Sequence, residues 1–177
     1  NINQMIQRKN DVVSQTCAGV KFLMDKNKVE VFEGIGSLVD KNTVKIVGVK
    51  GEETITTKNI ILATGSKPNF FPGMEPDKKR IITSTEALEL QEVPKHMIII
   101  GGGVIGLELG QVYKRLGAEV SVIEYLDRII PTMDGAQSKE LTKVLKKQGV
   151  KFYLSHQVNA VARTDQGVRV KALDKKG

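Results

Sequence analysis

The sequence of 177 residues has one cysteine, no tryptophan and few aromatic residues of any kind. A single cysteine, Cys17, excludes an internal disulfide framework and gives weak support to a reducing compartment. No apolar run approaches the roughly 18–20 residues of a membrane-spanning helix. The chain starts at Asn1, without methionine or a signal-like segment, and this start predicts a piece of a longer protein.

Positive charge is in excess, because 27 lysine and arginine residues face 20 acidic ones, for a formal net charge of +7. These basic residues are dispersed in short clusters, and no aromatic residues alternate with them along a stripe. The pattern argues against nucleic-acid binding and favours solvated faces, or one half of a charge-complementary contact.

The apolar pattern predicts a β-rich first part, a linker and a β-α-β-α-β second part. A helix is predicted over Ile2–Asp25, interrupted at Gly19. Thr83–Glu86 has the spacing of a capping box and predicts a short helix through Leu88. Between these helices, a strand is predicted over Val29–Gly34, a hairpin over Thr43–Val49 and Thr54–Thr57, a fully buried strand over Asn59–Ala63, and a crossing or linker over Lys67–Lys79. Towards the end of the sequence, a loop with Pro131 is predicted to precede a helix over Ala136–Gln148, strands near Val150–Leu154, Val158–Arg163 and Val168–Leu173, and a final hairpin turn over Asp174–Gly177.

One segment carries most of the functional information. The apolar strand Met97–Ile100 leads into a Gly-x-Gly-x-x-Gly turn over Gly101–Gly106, which opens a helix and is followed by a strand over Val120–Glu124. This context favours a dinucleotide-binding unit. A glycine-rich turn in some other α/β fold is the alternative.

The glycines have separate predicted tasks. Gly101 is expected at positive φ in the turn, and Gly103 lets a diphosphate approach the helix N-terminus, where free amides favour negative charge. Gly106 and Gly110 lie four residues apart and should pack the helix closely against the sheet. The apolar side of this helix is predicted to contain Ile105, Leu109, Val112 and Leu116, with Gly117 ending it.

Glu124, at the end of the second strand, is expected to select the nucleotide. A carboxylate there can accept hydrogen bonds from the adenosine ribose hydroxyls and would repel a 2′-phosphate, so NAD(H) is predicted over NADP(H). Arg128 lies close by and weakens that exclusion. A solvated glutamate at the end of a strand is the alternative interpretation.

The remaining reactive side chains predict no chemistry of their own. Cys17 lies in a helix without a partner cysteine and is predicted to be a buried or half-buried structural thiol. His96 and His156 lack the spacing of metal ligands and are interpreted as structural or solvated. No metal site is therefore predicted.

Further motifs identify a family resemblance: Val20–Leu23 with Lys26–Val29, Gly34-x-Gly36, Ile61–Ser66, Phe71–Gly73, Ser84–Leu88 and the Gly101–Glu124 segment. Together they make essentially the whole chain resemble a central piece of the flavin disulfide reductases, and within that family the dihydrolipoamide dehydrogenase branch. The resemblance implies an α/β fold in which part of an FAD-binding domain (residues 1–69) and a linker with a short helix (70–95) precede an incomplete Rossmann-like NAD-binding domain (96–177).

The family also implies roles for individual residues. Positions that contact FAD match Gly36, Thr64, Gly65 and Ser66. The diphosphate loop of NAD matches Gly101, Gly102, Gly103, Val104, Ile105 and Gly106. Glu108 matches a glutamate where nicotinamide meets flavin, Glu124 the ribose acid, and Val158 a residue near adenine. From the residues alone, Glu108 is equally an acid placed at a helix N-terminus, Val158 a core valine and Thr64-Gly65 a strand-end turn.

The resemblance implies a parent enzyme that reoxidises protein-bound dihydrolipoamide with NAD+ through FAD. Its cysteine pair at C-x4-C and its acid/base histidine are absent here, so no catalytic residue is expected in this span. The family implies a homodimer in the cytoplasm or the mitochondrial matrix, with lipoyl domains of 2-oxo acid dehydrogenase or glycine cleavage complexes as partners. A flavin NADH oxidase or reductase without a disulfide, and a stand-alone nucleotide-binding module, are the alternatives.

Overall fold

The structure, a computed structural model, describes residues 1–49 and 51–174. The chain folds as two compact units. Asn1–Gln7 and Pro68–Gly177 form the first, and Arg8–Lys67 form the second. The fold class is the expected α/β one, with a parallel sheet in the first unit.

Helix α1 spans Ile2–Lys26 without a break. The predicted interruption at Gly19 was wrong, because glycine keeps its amide hydrogen bond and costs only about 1 kcal/mol relative to alanine inside a helix. Ile6 is the buried residue of this helix. The prediction for Cys17 was also wrong: its side chain is exposed, because it lies on a stretch of α1 where no residue is buried.

An antiparallel sheet forms the strand part of the second unit. Strands β1 (Ile35–Leu38), β2 (Thr43–Gly48) and β3 (Gly51–Thr56) pair in the order β1-β2-β3. The predicted hairpin is confirmed, although its second strand begins at Gly51 rather than Thr54. Ile46, in the central strand, is buried.

Two other strands predicted in this unit do not form. Residues 29–34 are not part of a strand, and the amide of Val29 donates to the carbonyl of Met24 at the end of α1 (2.9 Å). Asn59–Ala63 has no regular secondary structure, and Ile61 is 90% exposed. A fully apolar run forms a buried strand only where neighbouring strands satisfy its backbone groups, and no described segment pairs with this one.

The first unit is built on a parallel sheet. Strands β4 (His96–Ile100), β5 (Glu119–Ile123) and β6 (Lys151–Tyr153) pair in that order. Each parallel connection contains a helix, as the sequence predicts. These helices are α3 (Val104–Arg115) and α4 (Gly135–Lys147), while the short α2 (Ser84–Ala87) precedes the sheet and the hairpin of β7 (His156–Thr164) and β8 (Gly167–Asp174) follows it.

The core of this unit lies between α3, α4 and the parallel sheet. Val120 and Val122 of β5 are fully buried, together with Tyr113 of α3 and Leu145 of α4. Tyr113 also donates its hydroxyl to the carbonyl of Ala87 at 2.5 Å, and burial raises the pKa of that hydroxyl. The hydrogen bond attaches α2 to α3.

The buried side of α3 differs from the predicted one. Gly106 and Gly110 face the sheet as expected, since a Cβ added to either would overlap the side chain of Ile99. Successive helical residues point about 100° apart, so a stripe that begins at Ile105 points to a different side of the helix from Gly106 and Gly110. The buried positions are Leu107, Gly110 and Tyr113, whereas Ile105, Val112 and Leu116 are exposed and Leu109 is half-buried.

The capping box forms as predicted. No helix or strand lies between Thr56 and Ser84, and Thr83 and Glu86 exchange both hydrogen bonds of a capping box at the start of α2. The predicted turn over Asp174–Gly177 lies largely outside the described residues. Over residues 1–49 and 51–174, no helix combines the length and the apolar character that crossing a bilayer requires.

Candidate functional site

The glycine turn between β4 and α3 lies at the carboxyl edge of the parallel sheet. Gly101 has φ of 99°, which confirms the expected left-handed turn, and its amide donates to the carbonyl of Ile123 at the end of β5 (2.8 Å). In open α/β sheets this edge is where ligands bind.

Helix α3 begins with donors that the helix itself leaves unpaired. Gly103 is the N-cap and makes no side-chain capping bond. The amide of Leu107 is the donor to the Gly103 carbonyl (3.1 Å), so the amides of Val104, Ile105 and Gly106 precede the first intrahelical bond. No atom lies within 4 Å of a Cβ position at Gly103. An anionic group can therefore approach these amides closely.

Glu124 lies directly behind this turn. The residue is 8% exposed, and its carboxylate accepts amide hydrogen bonds from Gly102 (2.5 Å to Oε2) and Leu126 (2.7 Å to Oε1). Each carboxylate oxygen retains a further acceptor position, so the group can support the loop and still accept a bond from a ligand hydroxyl. The order of residues along the chain predicts that this acid lies near the loop, but it does not reveal the bonds to the backbone.

A second support under the loop was missed by sequence reasoning. The amide of Ile130 donates to the carbonyl of Gly102 (2.8 Å), and the fully buried Ile129 places its Cγ2 only 3.0 Å from a Cβ position at Gly102. Two consecutive isoleucines before Pro131 are an apolar signal in a predicted loop, and this pattern could have indicated a buried segment.

Val158 and Glu108, which were also predicted to contact the nucleotide, lie in β7 and α3. The amide of His156 donates to the carbonyl of Glu124 (2.9 Å), so the start of β7 lies beside this acid, and half-buried Val158 follows two residues later. Glu108 is exposed on the first turns of α3. Arg128 is exposed and donates to the carbonyl of Pro131 (2.9 Å).

The residues matched to FAD contacts belong to the second unit. Gly36 lies in β1, and the turn Thr64, Gly65 and Ser66 is exposed coil. Gly65 has φ of 70°, and no atom lies within 4 Å of a Cβ position there. The backbone at Gly65 therefore leaves room for a ligand.

Both histidines make hydrogen bonds within the fold. Nε2 of His96 lies 2.9 Å from Oγ of Ser121, and Nδ1 of His156 lies 2.7 Å from the carbonyl of Leu154. Each fits the interpretation as a structural or solvated residue.

Comparison with known proteins decides the family. Residues 2–177 match the family described as pyridine nucleotide-disulphide oxidoreductase. The chain belongs to this family. Among curated proteins of the family, the mitochondrial dihydrolipoyl dehydrogenase of Schizosaccharomyces pombe is 47% identical over 157 residues, covering 88% of this chain and 31% of that protein. The dihydrolipoamide dehydrogenase of Chaetomium thermophilum is 46% identical over 179 residues, covering the whole chain and 36% of that protein.

Solved structures of the family agree with the fold. LpdA from Mycobacterium tuberculosis superposes with a TM-score of 0.87 at 27% identity, over 96% of this chain and 38% of that one. A Cu(II) complex of a cysteine-to-serine mutant of RclA, a flavoprotein disulfide reductase from Escherichia coli, gives a TM-score of 0.82 at 26% identity, over 94% and 38% of the two chains. The chain spans about a third of the length of the curated relatives it matches, and the expected resemblance is confirmed.

Proposed function

We propose that this chain is the nucleotide-holding part of an FAD-dependent dihydrolipoyl dehydrogenase, which reoxidises protein-bound dihydrolipoamide with NAD+. The observation that supports this most directly is the uncapped start of α3 at Gly103, with the carboxylate of Glu124 buried behind it. Relatives that are 46–47% identical over the aligned residues carry the name of this enzyme.

The residues present fit an NAD diphosphate and ribose. Amides of Val104 and Ile105 supply donors at the positive end of the α3 dipole, and glycine at 103 leaves space for the phosphate oxygens. Glu124 retains acceptor capacity for a ribose hydroxyl, whereas a 2′-phosphate would meet its charge.

For FAD, the open backbone at Gly65 fits close approach of a ligand, and we assign Gly36, Thr64, Gly65 and Ser66 as its contacts from this span. When bound, the two cofactors supply the redox chemistry, as electron acceptor from a dithiol and as hydride acceptor. The task of this chain is to hold and orient them. Glu108 is proposed to face the nicotinamide and Val158 the adenine.

We further propose domain limits of 1–69 for the FAD part, 70–95 for the linker and 96–177 for the NAD part. The complete protein is proposed to act as a homodimer in the cytoplasm or mitochondrial matrix, on lipoyl domains of 2-oxo acid dehydrogenase or glycine cleavage complexes. With a single cysteine, these 177 residues alone should not reduce NAD+ at the expense of dihydrolipoamide. Dithiol-dependent NADH formation by the isolated span would contradict this.

The decisive experiment changes Glu124 to alanine in the full-length protein and measures the affinities for NADH and NADPH. Loss of the ribose acceptor should weaken NADH binding far more than NADPH binding, because the carboxylate already opposes the 2′-phosphate. Glu119→Ala is the matched control, since Glu119 lies at the other end of β5 and pairs with Lys151 at the surface.

The two tasks of Glu124 can be separated by the same data. Equal losses for both nucleotides would refute the ribose role and leave only the support that the carboxylate gives to the amides of Gly102 and Leu126. Failure of the unchanged protein to bind NADH would refute the proposed function itself.

A further inference from the structure

Ser138, one turn inside α4, has an unusual position for a polar side chain. The residue is 2% exposed, and its hydroxyl donates to the carbonyl of Ile129 at 2.7 Å. It occupies the place of an apolar residue in the stripe that continues with Leu141 and Leu145, which both pack into the core. A buried hydroxyl in such a stripe needs a partner, and its partner is the loop beneath the glycine turn.

The carbonyl that Ser138 binds and the amide that supports the glycine turn belong to one peptide unit. That unit joins Ile129 to Ile130, and its amide hydrogen donates to the carbonyl of Gly102 (2.8 Å). Ser138 therefore holds one end of a planar group while Gly102 accepts from the other.

The hydrogen bond from Ile130 to Gly102 also fixes the orientation of a second peptide unit. The carbonyl of Gly102 and the amide of Gly103 form the next planar unit, and in a trans peptide these two groups point in opposite directions. Because the carbonyl of Gly102 is held toward the amide of Ile130, the amide of Gly103 points in the opposite direction, away from Ile130.

The backbone at Ile130 is strained, and this strain has to be held by its surroundings. Its φ is 40°, in the left-handed region that a β-branched side chain rarely adopts. The bonds from Ser138 to Ile129 and from Ile130 to Gly102 secure the peptide on its N-terminal side.

We propose that Ser138 is a positioning residue for the glycine turn: through the Ile129–Ile130 peptide it orients the Gly102–Gly103 peptide, and so aims the Gly103 amide at the nucleotide diphosphate. Consecutive hydrogen bonds polarise one another, so the relay also makes this amide a better donor. The inference rests on the proposed nucleotide-binding function and names a residue outside the site on which that function depends.

The test compares Ser138→Ala with Thr142→Val in the full-length protein. Thr142 is the matched control, because its hydroxyl also donates at 2.7 Å to a backbone carbonyl, that of Ser138, but within α4 and away from the loop. For Ser138→Ala, the KM for NAD+ should rise roughly three- to tenfold, the effect of losing one such hydrogen bond. The values of kcat and of the KM for dihydrolipoamide should stay within about twofold, because an interaction made equally in ground and transition states affects binding alone.

Hydrogen–deuterium exchange gives a readout without nucleotide. Peptides containing Ile130 should exchange faster in Ser138→Ala than in the unchanged protein or in Thr142→Val. If the alanine variant does not fold, Ser138→Cys, whose thiol is a weak donor of similar size, replaces it. Exchange at Ile130 and a KM for NAD+ that match those of Thr142→Val would overturn the proposal. Lack of any NAD+ activity in the unchanged protein would instead refute the proposed function, and the exchange comparison would still decide whether Ser138 holds the loop.

Discussion

The two units contain similar apolar runs, but only the run in the first unit forms a strand. Met97–Ile100 in the first unit forms most of β4, paired along its length with β5 and covered by α3. Asn59–Ala63 in the second unit has no regular secondary structure, and Ile61 and Leu62 are 90% and 69% exposed. An apolar run indicates a preference for burial, but a strand forms only where neighbouring strands make hydrogen bonds with its backbone N–H and C=O groups.

The helices repeat this contrast. In the first unit α3 buries Leu107 and Tyr113 against the sheet. In the second unit the C-terminal part of α1 has equally apolar residues, yet Val20 and Phe22 are more than half exposed. Helical periodicity therefore predicts that both helices form, but it does not predict which of their residues are buried.

The largest effect is expected where the first unit is packed most tightly. In Gly110→Ala, the new Cβ would overlap Cδ1 of Ile99 and lie 3.4 Å from Cγ1 of Val120. Overpacking of this kind costs about 1–3 kcal/mol of unfolding free energy. Denaturant unfolding, followed by amide exchange in β5, measures this loss.

The contact with Ile99 can be tested by removing its δ-methyl group. Ile99→Val alone should cost about 0.5–1.5 kcal/mol. The double variant with Gly110→Ala should be more stable than the sum of the two losses predicts, because the overlapping atom is gone. Additive losses would show that another atom limits the approach of α3 to the sheet.

Most helices and strands of the first unit were predictable from sequence, because short motifs and the apolar pattern determine them. The capping box at Thr83, the helix after Asp134 and the parallel strands follow rules that act within a few residues. The buried side of α3 was assigned incorrectly because its apolar residues outnumber the small ones. Close approach of backbone at Gly106 and Gly110 decides the packing, and side-chain hydrophobicity does not reveal it.

The candidate site was likewise predictable from the sequence in part only. Gly103 and Glu124 were predictable because their spacing and order along the chain are characteristic. The contacts of Glu124 with the amides of Gly102 and Leu126, and the bond from Ser138 to Ile129, depend on tertiary geometry. Nothing in the sequence around Ser138 distinguishes it from a solvated helical serine, except that it falls in an apolar stripe.

A smaller loss of stability is expected when the pH is lowered, and this loss should differ between the two units. In the first unit Asp77 accepts amide bonds from Lys79, Arg80 and Ile81, and the bond to Lys79 leads in lowering its pKa to about 2. A folded-state pKa below the ordinary value of 3.8 gives stability that is present above that value and is lost as pH falls toward 2. Oδ2 of Asp77 lies 2.9 Å from Nε of Arg163 in β7. Asp77→Asn should therefore reduce this loss, as measured by denaturant unfolding of the β7–β8 region from pH 5 to pH 2.

Asp40 provides the matched aspartate of the second unit. Its pKa is also lowered, mainly by the amide of Asn42, in a unit that does not contain the β7–β8 hairpin. Asp40→Asn should therefore leave the acid sensitivity of β7–β8 unchanged. A pH profile for Asp77→Asn that parallels that of the unchanged chain would show that Asp77 does not contribute to acid stability.

The smallest effect is expected at Gly19, and its sign is opposite to that at Gly110. Both glycines lie inside helices, but no atom lies within 4 Å of a Cβ position at Gly19. Gly19→Ala should therefore stabilise α1 by about 0.5–1 kcal/mol, the intrinsic helical advantage of alanine, and slow amide exchange in that helix. Faster exchange would mean that another surface packs against Gly19 in solution, and the contrast between a packed and an unpacked helix would then no longer hold.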